Sequence, residues 1–132
     1  MEALFIELKA FTRELKRLGL PDEWLCELQV NIFDRRGRIA KPKHLGGFEK
    51  IRMPNPSRGK GTRGGFRVYF ISYADLRVVV LALISDKDVE DNISDEEKKQ
   101  LRSLASGLRK EIARYVQPQR KKRTRRRTRR RP

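Results

Sequence analysis

The chain has 132 residues, enough for one domain, and its 33 Lys/Arg against 17 Asp/Glu give a formal net charge of +16. A field of that sign attracts nucleic-acid phosphate or an anionic surface and says little about fold. The single cysteine, Cys26, excludes an internal disulfide framework, and one Cys with one His excludes an all-Cys/His zinc site. The opening "MEALFIELKAF" carries Glu2 and Glu7 and lacks a cationic start followed by a long apolar run, and no stretch reaches about 18 consecutive apolar residues. A cytoplasmic protein without a membrane span is the expectation.

In chain order, Ala3 to Leu8 is a short run with strand character, and Phe11, Leu15 and Leu18 then fall on one helical stripe. A second helix is predicted from "GLPDEWLCELQVNIF". Pro21 suits its first turn, Asp22 and Glu23 stand at its N-terminal end, and Trp24, Leu25, Leu28 and Ile32 share a face, with a stop near Gly37. Arg35 to Leu45 holds five Lys/Arg with little apolar periodicity and reads as a basic connector. "GFEKIRM" alternates as a strand. Phe66 to Ile71 and Arg77 to Ile84 read as an antiparallel hairpin around a five-residue turn, "SYADL". The second of these strands is apolar on both faces, so it should lie inside a sheet with helices on at least one side. "SDEE" at Ser94 to Glu97 is a capping-box pattern opening a last helix, whose stripe of Leu101, Leu104, Leu108 and Ile112, flanked by Tyr115, docks on the sheet. Pro118 marks its end.

The predicted order is β-α-α-β-β-β-α, an α+β domain with a small antiparallel sheet, two N-terminal helices and one C-terminal helix. It occupies residues 1–117, and residues 118–132 form a separate basic tail. Ten of the sixteen net charges lie in Gln119 to Pro132, which has no acid, so the body keeps +6. A tract this cationic is predicted to be disordered until it meets a polyanion, with Arg125, Arg126 and Arg127 at its centre as RNA contacts.

The densest chemistry lies in Lys50 to Phe70, "KIRMPNPSRGKGTRGGFRVYF", with six cations and four glycines between two hydrophobic runs. Alternation along a strand puts Lys50 and Arg52 on one face and Arg67 and Tyr69 on one face of the next strand, so two pairs can converge. Arg58, Lys60 and Arg63 lie between them among glycines that allow close backbone approach to a phosphate. The glycine spacing matches neither a P-loop nor a dinucleotide fingerprint.

These residues carry a family resemblance. "LGGFEKIRM", "RGKGTRGGFRVYFIS" and "VVVLALISDKDVEDNISDEEKKQLRSLA" resemble the RelE/HigB-like toxins of bacterial type II toxin–antitoxin pairs, over about Leu4 to Ile112 and most specifically between Lys50 and Leu101. The resemblance implies a ribosome-dependent messenger-RNA endoribonuclease that inhibits translation, works without metal or cofactor, and is restrained by a cognate helix-turn-helix antitoxin. In such cleavage a ribose 2′-OH attacks its own phosphodiester, and placed cations stabilise the charge that builds on the phosphorane oxygens. Matched by position, Lys50 and Arg52 take the family's basic pair, Arg58 and Lys60 its "GRGK", Arg67 the arginine of "GGYRV" and Lys87 the lysine of "YxK". The catalytic set implied is Lys50, Arg52, Arg67 and Lys87, with Arg58 and Lys60 as implied phosphate contacts; Arg63 and Tyr69 join them as RNA contacts by position, and the tail arginines, without a counterpart in most of the family, do so by charge, on ribosomal RNA or, alternatively, on DNA. Ser85 stands where many relatives carry a tyrosine and supplies neither its ring nor its acidity. That replacement keeps open a non-catalytic nucleic-acid-binding protein of the same fold; a ParE-like gyrase inhibitor is the other alternative.

Three features read more plainly. His44, without a partner constellation, reads as a surface histidine. Asp86, Asp88, Glu90 and Glu97 fit positions of a calcium loop, but Asp91 replaces the glycine its turn requires, so the stretch reads as an acidic turn that offsets the following helix dipole. Cys26 reads as a half-buried inert thiol.

Overall fold

The computed structural model describes residues 3–58 and 65–116. Its elements are β1 (Leu4–Glu7), α1 (Lys9–Arg17), α2 (Asp22–Phe33), β2 (Ile39–Ala40), β3 (Glu49–Met53), β4 (Phe66–Tyr73), β5 (Val78–Ser85) and α3 (Asp95–Ala113), with short 3-10 turns at Pro56–Arg58 and Val89–Asn92. The strands form one sheet in the order β1-β5-β4-β3-β2. The fold is α+β, with a five-stranded mixed sheet and three helices. No described helix is long and apolar enough to cross a membrane.

Helices cover both faces. On one face, Phe11 of α1 and Trp24, Leu28 and Ile32 of α2 pack on Ile51, Met53, Val68, Phe70 and Leu81. Trp24 stands edge-on to Phe66, with ring centroids 6.2 Å apart, and its indole N–H donates to the Pro54 carbonyl at 2.9 Å. On the other face, Ala105 and Ile112 of α3 meet Ile71, Tyr73, Val78 and Val80. The Tyr73 hydroxyl donates to the Ala105 carbonyl at 2.8 Å, and Arg109, lying over the Tyr73 ring, pairs with Asp75 through two bonds of 3.0 and 2.5 Å. The helix begins as the sequence predicts: Ser94 accepts from the Glu97 N–H, and Glu97 accepts from the Ser94 N–H.

Several expectations need correction. The sheet is not wholly antiparallel, because β1 runs parallel to β5 with Leu4 opposite Val78. Hairpin rules constrain strands joined by a turn, whereas β1 meets a strand more than 70 residues away. The basic connector contains a two-residue strand, β2, in which Ile39 pairs with Ile51 and packs against the core. One half-buried side chain is too little to show as a period. Between β4 and β5 the turn is Ala74 to Arg77, so β4 runs two residues further than expected and β5 is shifted by one residue, each being eight residues long.

Two side chains also depart from expectation. Cys26 is exposed, since it lies two residues, about 200°, from Trp24 around the helix. The stripe of α3 uses Ala105 where Leu104 was expected; Leu104 and Tyr115 are exposed.

The loop before β3 is fitted to α3 at Gly46. Its φ is +70°, and a Cβ there would lie 2.8 Å from the Arg102 Cα. Gly46→Ala therefore forces both a left-handed alanine and a displaced helix backbone. We expect it to lower unfolding free energy by about 2 kcal/mol or more, read as a reduced urea midpoint with an unchanged m-value.

Candidate functional site

The ladder between β3 and β4 places Lys50 opposite Tyr69 and Arg52 opposite Arg67. Ile51, Met53, Val68 and Phe70 point to the α1–α2 side, so these four alternate residues all face the α3 side. The sequence-predicted convergence is present. Like charges directly across a ladder repel, which makes the Arg52–Arg67 pair a place where an anion is favoured.

Strand β5 reaches the same face by an irregularity. Tyr69 pairs with Leu83 but Phe70 pairs with Leu81, so Ala82 is an extra residue bulging from the ladder. Val79 and Leu81 point to the α1–α2 core before the bulge and Ile84 does so after it. The bulge thus reverses the alternation and brings Ser85 opposite Arg67 on the cationic face. The Ser85 hydroxyl then closes a turn, donating to the Lys87 carbonyl at 2.9 Å and accepting from its N–H at 3.3 Å.

That turn carries two carboxylates onto the cations. Asp88 Oδ1 accepts from Lys50 Nζ at 2.9 Å and from Arg67 Nε at 3.0 Å. Glu90 accepts from Lys50 through Oε2 and from the Tyr69 hydroxyl through Oε1, the latter at 2.6 Å. The Tyr69 oxygen in turn accepts from the Val89 N–H at 2.8 Å. Arg67 also donates to the carbonyls of Gly65 and Asp86 at 3.4 and 3.3 Å. The Lys50 and Arg67 side chains are only 11% and 15% exposed, which places the network at the border of the core.

The electrostatics follow from those contacts. The Lys50 hydrogen bond is the largest influence on Asp88 and, with Arg67, holds its carboxyl below the usual range against burial. Burial is the largest influence on Glu90 and pushes it up, but the bonds from Lys50 and Tyr69 prevail and its value is lowered. Lys50 is shifted upward: desolvation opposes its charge, and Glu90 and Asp88 together overcome it. Burial, then the Glu90 bond, push the Tyr69 phenol well above its ordinary value, so it stays protonated.

Of the remaining predicted residues, Arg52 lies beside the network at intermediate exposure, and no carboxylate among the described residues is within ion-pair distance of it. Lys87 is exposed and meets the site through its backbone bonds to Ser85. Arg58 ends the 3-10 turn after β3; its side chain, together with Lys60, Arg63, Arg125, Arg126 and Arg127, lies outside the described residues. His44 is exposed, as expected, and lines a cleft of about 300 Å³ with Lys98, Lys99 and Arg102 of α3.

The acidic turn is where the sequence reading falls short. Asp95, Glu96 and Glu97 do occupy the first turn of α3, but Asp88 and Glu90 form ion pairs within the sheet's cationic face instead of serving the helix dipole. The available signal was their position, two residues apart just after the strand that pairs with Arg67. No family model matches this chain.

Because both carboxyls are depressed, their contribution to stability is complete above the unfolded values, near pH 4. It is lost as pH falls through the folded ones. Raised Lys50 has the opposite sign, with its contribution complete below its unfolded value near 10.4 and lost at higher pH. The melting temperature of the wild type is expected to drop on acidification below about pH 4.3, and that drop should shrink in the Asp88→Asn/Glu90→Gln variant, measured by thermal unfolding across pH.

Proposed function

We propose that the protein is a ribosome-dependent messenger-RNA endoribonuclease, the toxin of a type II toxin–antitoxin pair with a RelE-like fold, acting in the cytoplasm. The observation that carries the reading is the juxtaposition of Lys50, Arg52 and Arg67 on one sheet face, in the motif that resembles the RelE/HigB-like toxins. Cations fixed on adjacent strands are suited to charge that develops on a phosphorane, because they need no reorganisation when it forms.

In this reading the RNA backbone lies along the exposed end of β3 and β4. Arg67 stabilises the non-bridging oxygens, while Lys50 and Arg52 hold the phosphate and assist proton transfer. Tyr69 orients Lys50 through Glu90. The arginine-rich tail adds sequence-independent attachment to ribosomal RNA, which weakens steeply with salt. A small helix-turn-helix antitoxin is the expected inhibitor.

One observation favours the second reading, RNA binding without cleavage. The Ser85 hydroxyl is committed to the Lys87 backbone, and the Tyr69 phenol is held between Glu90 and Val89. Neither group on this face is poised to exchange a proton with a substrate.

Primer extension on translated messenger after brief induction separates the two. Cuts that require translation and fall by about 100-fold or more in Arg67→Ala support the nuclease. Intact messenger, with RNA still retained in a salt-sensitive manner, supports the binding protein. Truncation after Val116 is expected to leave the cut positions unchanged while lowering their yield.

A further inference from the structure

We infer that the Asp88–Glu90 turn is an internal competitor for the phosphate site: it holds Lys50 and Arg67 as an RNA phosphate would, and RNA binds by displacing it. The inference rests on the phosphate-binding reading of this face and adds how that face is regulated.

Two carboxylates neutralise the two most enclosed cations of the site. Asp88 bridges Lys50 and Arg67 through a single oxygen, at 2.9 and 3.0 Å, while Glu90 takes the other side of Lys50. A phosphate with two non-bridging oxygens offers the same acceptors to the same donors. Exchange of one anion for the other leaves neither cation desolvated and alone, a state that would be costly. The displaced carboxylates return to water, where they are well solvated.

The turn is also fastened in a way that permits exchange. It is a single short 3-10 helix, Val89–Asn92, entered through a long bond of 3.4 Å from the Asp91 N–H to the Asp88 carbonyl. Its ties to the sheet run through Lys50, Arg67 and Tyr69, the face it would vacate. Its apolar hold is limited to partly buried Val89 and Ile93, and Val89 borders an unfilled pocket of about 270 Å³ shared with Tyr69 and Leu101. Both ends are anchored independently. Ser85 closes on Lys87 at one end, and the Ser94–Glu97 capping box fixes the start of α3 at the other, so the turn can leave without moving the helix.

The test measures binding of a short single-stranded oligoribonucleotide to the full chain at several salt concentrations. Asp88→Asn/Glu90→Gln is expected to bind at least about tenfold more tightly than wild type, because the competent state no longer competes with a closed one. Glu23→Gln/Glu27→Gln, which removes the same charge from the exposed surface of α2, is expected to gain far less. A second readout uses wild type alone: amide exchange across Asp86 to Ile93, the Val89 N–H above all, should accelerate when RNA is added. Equal gains in the two charge-matched variants, or increased protection of the turn by RNA, would overturn the inference. RNA binding that depends on Lys50 and Arg67 but ignores Asp88 and Glu90 also overturns it and leaves the phosphate site standing. Binding indifferent to Lys50→Ala and Arg67→Ala overturns the phosphate site itself.

Discussion

An ammonium group brought most of the way out of water has to be met by carboxylates, and Lys50 is such a group. It sits in mid-strand, nearly enclosed, with Arg52 and Arg67 as neighbours on the same face. Left unpaired, the three would repel across a ladder whose spacing is fixed by backbone hydrogen bonds. Asp88 and Glu90 remove most of that repulsion, and in doing so they determine the path between β5 and α3. The chain cannot cross from strand to helix by the shortest route; it folds back over β4 first. The ionic cluster therefore shapes this end of the molecule as firmly as apolar packing shapes the other.

The two sheet faces divide the work. Against α1 and α2 the face is apolar from Ile51 and Met53 through Phe66 to Leu81, and Trp24 spends its one polar atom on the Pro54 carbonyl. Against α3 the face is apolar only from Tyr69 toward Val78. Tyr69 marks the change. Its ring belongs to the core and its hydroxyl joins Glu90 to the Val89 N–H, so packing on one side fixes charge on the other. Positive groups held this way keep their geometry without help from a flexible loop.

What was legible in the sequence was what is local. Stripes of Phe11 and Leu15, or of Trp24, Leu28 and Ile32, show their helices because burial on one side imposes a period. Ser94 and Glu97 announce a helix start because the capping bonds span three residues. Lys50, Arg52, Arg67 and Tyr69 could be assigned to common faces by alternation alone. The partner of β1, the bulge at Ala82 and the destination of Asp88 depend on contacts far along the chain. "VVVLAL" is apolar throughout, so an extra residue within it leaves no break in pattern. Acids before a helix satisfy the dipole argument equally well whether or not two of them turn back to the sheet.

The bulge has a chemical consequence that connects these points. Had β5 kept strict alternation, Ser85 would face α1 and α2, and the chain would leave the sheet on the wrong side for Asp88 to reach Lys50. One inserted residue therefore supplies both the serine that closes the turn and the acids that fill the cationic face. With the Ser85 and Tyr69 hydroxyls both engaged in holding that turn, the proposed cleavage would have to draw on the charges of Lys50, Arg52 and Arg67 rather than on a hydroxyl of β4 or β5. Those charges act fully on a phosphate only when Asp88 and Glu90 are elsewhere. On the inferred competition, closing the face and using it are alternative states of the same few residues, and the energy that separates them is the difference between two anions on one pair of cations.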